Sequence, residues 1–372
     1  MSYAHDFNLT RITGTLFALT KSHKFLLDLE INSYSIETIQ GFFKHIYFNP
    51  AAMQKIFTIA QVTFKEMIRQ PVYSIIVYLA MILIYGSPWF SMFTLLNSLK
   101  LVRDMGLATI MLASLFIAAF SASGLVYKEI ENKTAITIMS KPIFRMQFVI
   151  GKYLGLLAGM VIAVTQLTLI LILTIRLGVP ETAQFVIDKP VVYSLNFLLI
   201  FCIFWSALIN YFFERPFTST LITTFFILLV IVFCFVAFVN PSFQPQQFGT
   251  GMELGLLKAG ILIFLAMAII TSIALIGSIR FNMLANLIFC FAVFFITMTS
   301  DYFFGRFADT NIICKAIYAI IPNLQFFWVA DAFLQNNTIP SAYVTITLAY
   351  SGLCIVTAVV MSWVLFSERE LA

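Results

Sequence analysis

The sequence is poor in charge. Asp, Glu, Lys and Arg make up 10% of its 372 residues, whereas soluble domains carry about 25%. Apolar residues make up 61%, and the mean hydropathy is +0.96. Such a chain cannot cover a water-facing surface with polar groups, so soluble and disordered classes are excluded. Histidine is also scarce: His5, His23 and His45 all precede the first apolar run. Cysteine carries no pattern. Cys202, Cys234, Cys290 and Cys354 sit inside apolar runs, and Cys314 stands apart near Asn311 and Lys315. There is no CxxC pair and no His/Cys cluster, so neither a metal site nor a disulfide framework is expected. No short apolar core with a cleavage site opens the chain, and a removable signal peptide is not expected.

What the sequence has is long apolar runs. A bilayer core of roughly 30 Å needs about 20 helical residues. Eight runs meet that length: 72–95, 105–127, 148–177, 191–213, 217–239, 254–279, 283–304 and 342–366. Barrel strands are about 10 residues long and alternate, so these runs are helices. The expected fold is an all-α polytopic membrane protein with about eight transmembrane helices. With eight spans both termini lie on one side. Placing that side in the cytoplasm puts 15 of the 22 Lys and Arg inside, as the positive-inside rule favours. Lys100 and Arg103 fall outside in this arrangement, next to Asp104.

This divides the chain into four parts. Residues 1–50 are a cytoplasmic N-terminal segment, 51–71 an amphipathic interfacial helix, 72–366 the membrane domain and 367–372 a cytoplasmic tail. In the stretch 53–71, Ile56, Ile59, Ala60, Thr63, Phe64 and Met67 recur at helical spacing. Lys55, Gln61, Lys65, Glu66 and Arg69 fall largely on other faces. A helix lying along the membrane interface has this pattern. A plain extension of the first span has it too, although Pro71 disfavours helix at Gln70. At Gly86-Ser87-Pro88-Trp89 the first span either breaks over a transport path or ends, with Trp89 and Phe90 as interfacial anchors.

One segment stands out against this background: YKEIENKTAITIMSKPIFRMQFVIGKYLG, residues 127–155. It contains the longest interior cytoplasmic loop, 128–147. Glu129 and Lys133 have the favourable order for a helical ion pair, yet the run 134–139 also alternates as an extended piece does. Ser140 is a candidate cap for a second helix, with Pro142 in its first turn. An ordinary solvated loop also fits. Beyond the proline, Gly151, Gly155 and Gly159 recur every fourth residue. Ser114, Ala118 and Ala122 do the same on the second span. Small residues at this spacing let backbones approach closely, and the two small faces are expected to pack together.

The same segment resembles the signature of the ABC-2 type transporter permeases. There an acidic pair, a Thr, an SKP followed by Arg, and a GKY-x-G or GKF-x-G follow the second span in this order. FTIAQVTFKEMIRQPVY, LVRDMGLATIMLASLFIAAFSAS and the terminal FSERELA are similar to further parts of the family pattern. Together the resemblance covers roughly residues 56–371. Many members have six spans, and eight fit a longer subgroup. The resemblance implies two permease halves, a second copy or a paralogue, working with a separate ABC ATPase subunit. It also implies a coupling role for Glu129, Glu131, Lys133, Thr134, Lys141, Pro142 and Arg145 on the ATPase. No cofactor is expected on this chain, and ATP and Mg belong to the partner. In agreement, Gly151-Lys152 is the sole Gly-Lys pair, with Met146 where a phosphate loop needs Gly and Tyr153 after it. The implied function is export of a substrate across the cytoplasmic (inner) membrane, with the lipid bilayer as surroundings and no nucleic acid partner.

Other functional classes fit less well. Ion-driven secondary transporters usually place ionisable residues deep in the spans. Here Arg176, Glu253 and Asp301 fall near span ends. An intramembrane enzyme lacks its motifs: HExxH and GxSxG are both missing. A non-transporting assembly or signalling subunit uses the same coupling architecture. The outer segment 305–341, apolar and interrupted at Pro322, reads as short helices at or dipping into the outer face. It suits an exit gate, a partner surface or an interfacial anchor.

Overall fold

The computed structural model describes residues 50–91, 98–127, 129, 144–179, 188–307, 314, 317–318, 321–330 and 339–369. Regular structure among them is helical, apart from one isolated bridge between Val239 and Pro245. The chain is an all-α, multi-pass membrane protein. Its helices are α1 Pro50–Arg69, α2 Pro71–Ser91, α3 Ser98–Ala122, α4 Arg145–Leu177 and α5 Lys189–Phe213. They continue as α6 Phe217–Ala237, α7 Gly255–Arg280, α8 Met283–Met298, the single turn α9 Ser300–Phe303 and α10 Ser341–Arg369. Seven are long and apolar enough to cross a bilayer, and α8 with the segment through Phe307 forms a pair bent by 58°, a broken eighth span or a re-entrant loop.

The amphipathic helix ahead of the first span is a separate element. Only Gln70 divides α1 from α2. Pro71 explains the break: it excludes helix at the preceding residue, and its missing N–H costs nothing in a first turn. The first span runs helically through Pro88 to Ser91, with Trp89 and Phe90 exposed at its end.

Instead of lying apart on a surface, α1 is docked along α4. A Cβ added to Gly151 would meet Ile59 at 2.7 Å, one on Gly155 would meet Thr63 at 2.5 Å, and one on Gly159 would meet Met67 at 2.3 Å. The numbers rise together in both helices, so α1 and α4 run parallel in a four-residue register. At Gly155 the backbone itself is close, with the Ala60 carbonyl oxygen 2.7 Å from the added atom. The expected pairing of this glycine face with Ser114, Ala118 and Ala122 is therefore corrected. Those three are buried on α3, but α1 occupies the glycine groove. Where α3 meets α4, the close approach is Gly106 against Leu171. A four-residue period identifies a groove but not its occupant.

The centre of the bundle is α4 and α7, with 72% and 78% of their spans buried, whereas α5 and α10 have 22%. Gly260 on α7 lets Thr168 of α4 approach, and the Tyr153 hydroxyl donates to the Ala268 carbonyl at 3.1 Å. Thirty-three residues make α4 about 50 Å long, longer than the roughly 30 Å of hydrocarbon. Its ends therefore reach into polar surroundings. At its C-terminal end, Arg176 pairs with Asp188 at 2.8 Å, both buried. The same guanidinium donates to the carbonyls of Val236 and Val239, and Asp188 caps α5 through the Val191 N–H. This clamp joins α4, α5 and α6.

The break after α8 lies in the sequence Thr297–Ser300. The Thr297, Thr299 and Ser300 hydroxyls donate to carbonyls three or four residues back, and such bonds compete with the helix ladder. Beyond it, the described part of the segment 305–341 includes a turn packed against the helices. The turn Leu324–Phe327 is largely buried, and the Asn323 N–H donates to the Tyr350 hydroxyl at 2.8 Å, nine residues into α10.

Replacing Gly155 with Leu should lower stability by more than about 3 kcal/mol, because a backbone carbonyl cannot swing aside as a side chain does. Gly352→Ala, with nothing within 4 Å of the added carbon, should change little. Thermal unfolding in detergent checks both.

Candidate functional site

The polar segment enters α4 at one end of the bundle, and charged side chains gather there. Gly151, Lys152 and Tyr153 are consecutive, yet each serves a different neighbour. Gly151 admits α1, Tyr153 reaches α7, and Lys152 turns towards acids. The Lys152 ammonium lies 2.6 Å from Glu129, just beyond α3, and 3.6 Å from Glu66 on α1. Its side chain is 3% exposed, so the charge is buried and must be paired. It also lies 5.6 Å from the centre of the Phe148 ring, within cation–π range. Phe148 in turn stacks on Phe366 of α10 at 5.4 Å.

Arg145, the first residue of α4, donates to the Ser367 carbonyl at 3.1 Å. Cations at a helix C-terminus meet its unsatisfied carbonyls and the negative end of its dipole. Nearby, Arg280 at the end of α7 pairs with Glu368 at 3.5 Å across an exposed gap. Thus α1, the start of α4, the end of α7 and the end of α10 converge on the same end of the bundle.

The α3 helix widens into a π-helical turn at Ser123–Tyr127 before it reaches Glu129. Asn286 of α8 secures this turn: its amide donates to the Ser123 hydroxyl at 2.7 Å and to the Ala274 carbonyl at 3.2 Å. Widened turns of this kind are frequent at functional sites. Here the turn ends two residues before Glu129, the partner of Lys152.

Burial pushes the Glu129 carboxyl above its ordinary range. The Lys152 charge and hydrogen bond oppose that shift, and the Glu66 carboxylate adds to it. The pair is thus held by geometry against a desolvation cost.

Of the residues expected to couple to a partner, Glu129 and Arg145 are described, and both are engaged inside the chain. Glu131, Lys133, Thr134, Lys141 and Pro142 lie outside the described residues, as does the proposed Ser140 cap. The described part of α4 starts at Arg145, with the Gln147 side chain accepting from the Phe144 N–H at 3.3 Å. Sequence patterns alone give Glu66 and Lys152 no place in the site. A signal for Lys152 was available: a lone lysine one residue from a glycine groove, inside an apolar helix, requires a buried partner. The sequence carries no comparable signal for Glu66.

Neither known family models nor curated protein sequences match this chain.

Exchanging Lys152 for Met should cost roughly 2–3 kcal/mol, between the ranges for exposed and buried pairs. Adding Glu129→Gln should recover part of that loss. The Met variant also steepens the pH dependence that the raised Glu129 carboxyl already gives the wild type. Without the cation, Glu129 moves further up, so the folded state holds the proton more tightly than the unfolded state. Stability should then fall as pH rises from the ordinary carboxylate range towards neutral. Unfolding midpoints measured across that range for wild type and variant check the sign.

Proposed function

We propose that the chain is the permease subunit of an ATP-binding cassette exporter of the ABC-2 type. It forms the translocation path and takes its drive from a separate ATPase subunit. The observation that supports this best is the charge knot at Lys152. It ties the root of the polar loop to α1, to the centrally buried α4 and, through Phe148, to α10. A force applied to that loop from outside the membrane would be delivered to three membrane elements at once. The groove of glycines carries it along α4, because close contact leaves no compliant side chains between the two backbones.

In this reading Arg69, Arg145, Lys152, Arg215 and Arg280 lie on the cytoplasmic side, as the positive-inside rule favours. The loop residues Glu131, Lys133, Thr134, Lys141 and Pro142 meet the ATPase. Glu129 and Arg145 act from behind the contact: they fasten its base to the bundle. The ATP and Mg sites belong to the partner, and a second permease copy or a paralogue completes the complex in the cytoplasmic membrane. Exposed apolar faces on α5 and α6, including Phe197, Phe204, Ile227 and Ile231, are available for lipid or for that second half.

The experiment is affinity purification of the full chain from its own membranes, with identification of co-purifying ATPases. Wild type should retain a protein with a phosphate loop. Reversing Lys133 and Lys141 to Glu should reduce its recovery at least about tenfold, since charge reversal at a contact turns attraction into repulsion, while the unfolding midpoint stays unchanged. Glu129 is unsuitable for this purpose, because its reversal breaks the internal pair. Recovery of no such ATPase with abundant wild-type chain would overturn the reading.

A further inference from the structure

A cleft of about 900 Å³ opens where α1 ends and α5 turns into α6. Its walls are α5 from Trp205 to Phe213 on one side, and Ser219, Thr220, Thr223 and Thr224 of α6 on the other. Arg69 and Arg215 also line it. The two arginines belong to one corner, because the Thr218 hydroxyl donates to the Arg69 carbonyl at 2.9 Å and Arg215 occupies the α5–α6 turn.

Both arginine side chains are exposed, and neither forms an ion pair among the described residues. Glu214, next to Arg215, does not pair with it; its backbone is left-handed, with φ 53°, and closes the turn. The Asn210 amide holds the Arg215 carbonyl at 2.6 Å. The corner is therefore built by backbone contacts, and both guanidiniums remain available. Arg215 lies in the turn between two helices apolar and long enough to cross a membrane, and Arg69 two residues before a third, positions at which a span leaves hydrocarbon for headgroups. An apolar cleft below two free guanidiniums at that depth matches one ligand chemistry: an acyl chain attached to a phosphate.

We propose that this cleft is a binding site for an anionic phospholipid of the leaflet it faces. The Arg69 and Arg215 guanidiniums bind the phosphodiester. One acyl chain lies between the Trp205–Phe213 wall of α5 and the hydroxyl-bearing face of α6. The hydroxyl face accommodates the chain because three of its four hydroxyls are turned back on their own helix: Ser219 and Thr220 donate to the Pro216 carbonyl, and Thr223 donates to that of Ser219. A bound lipid fastens the end of α1 to α5 and α6, which the Thr218 bond alone joins at this point by hydrogen bonding among the described residues. This site does not depend on the identity of the energy source proposed above.

The test is native mass spectrometry of the full chain with added phosphatidylglycerol or phosphatidylcholine. Wild type should bind phosphatidylglycerol in preference to phosphatidylcholine. The double substitution Arg69→Gln, Arg215→Gln should weaken phosphatidylglycerol binding about 25-fold, since each basic side chain near a headgroup contributes roughly fivefold. Thr220→Trp, which fills the cleft and leaves both charges, should weaken it as well. Equal binding of the two lipids by wild type, or undiminished phosphatidylglycerol binding by the double variant, overturns the site. Displacement of the lipid by millimolar inorganic phosphate also overturns it, since it would reveal an anion site with no use for the acyl chain. So does a photoreactive residue at Thr220 that crosslinks to another stretch of this chain or to a second copy, because the cleft is then filled by protein.

Discussion

The docking of α1 into the glycine groove of α4 is the contact on which the rest depends. Between helices in lipid there is little hydrophobic driving force, because the acyl chains are as apolar as the side chains. Attraction must come from close packing and from polar contacts that lipid cannot offer. Gly151, Gly155 and Gly159 supply the first, by letting two backbones run in parallel register. That register then supplies the second, because it brings Glu66 beside Lys152. Without the groove, α1 would be an amphipathic helix lying on the membrane, and the buried ammonium would lose one of its two acids.

The charges follow from the same constraint. A buried ion is tolerated only where counter-charges and hydrogen bonds are fixed in place. Each end of α4 meets that requirement differently. At the loop end, Lys152 draws on two carboxylates from two separate elements. At the far end, Arg176 draws on one carboxylate and two helix-terminal carbonyls. The far clamp fixes the end of α4 against α5 and α6. The loop-end knot joins elements that lie far apart in sequence, so a displacement of any one of them is felt by the others.

Where breaks occur in the helices, local chemistry accounts for them. Pro71 separates α1 from α2, and the threonine and serine hydroxyls bend the span after α8. The π-helical turn at Ser123–Tyr127 has a tertiary cause as well, because Asn286 from α8 holds it.

The sequence by itself determined the class of protein and most of its spans. Composition and run length depend only on the bilayer acting as solvent, and that constraint reads directly from hydropathy. The amphipathic α1, its break at Pro71 and the groove-forming glycines were legible for similar reasons, since each rests on local backbone rules. The partner of the groove was not legible. Ser114, Ala118 and Ala122 have the same four-residue period as the glycines, and periodicity says which face is smooth without saying what meets it. Lys152 shows the other limit. Its neighbours Glu66 and Glu129 lie 86 and 23 residues away, and nothing in the order of residues along the chain specifies that they meet. Only the parallel register of α1 on α4 and the widened turn at the end of α3 decide it, because a buried charge is paired through space.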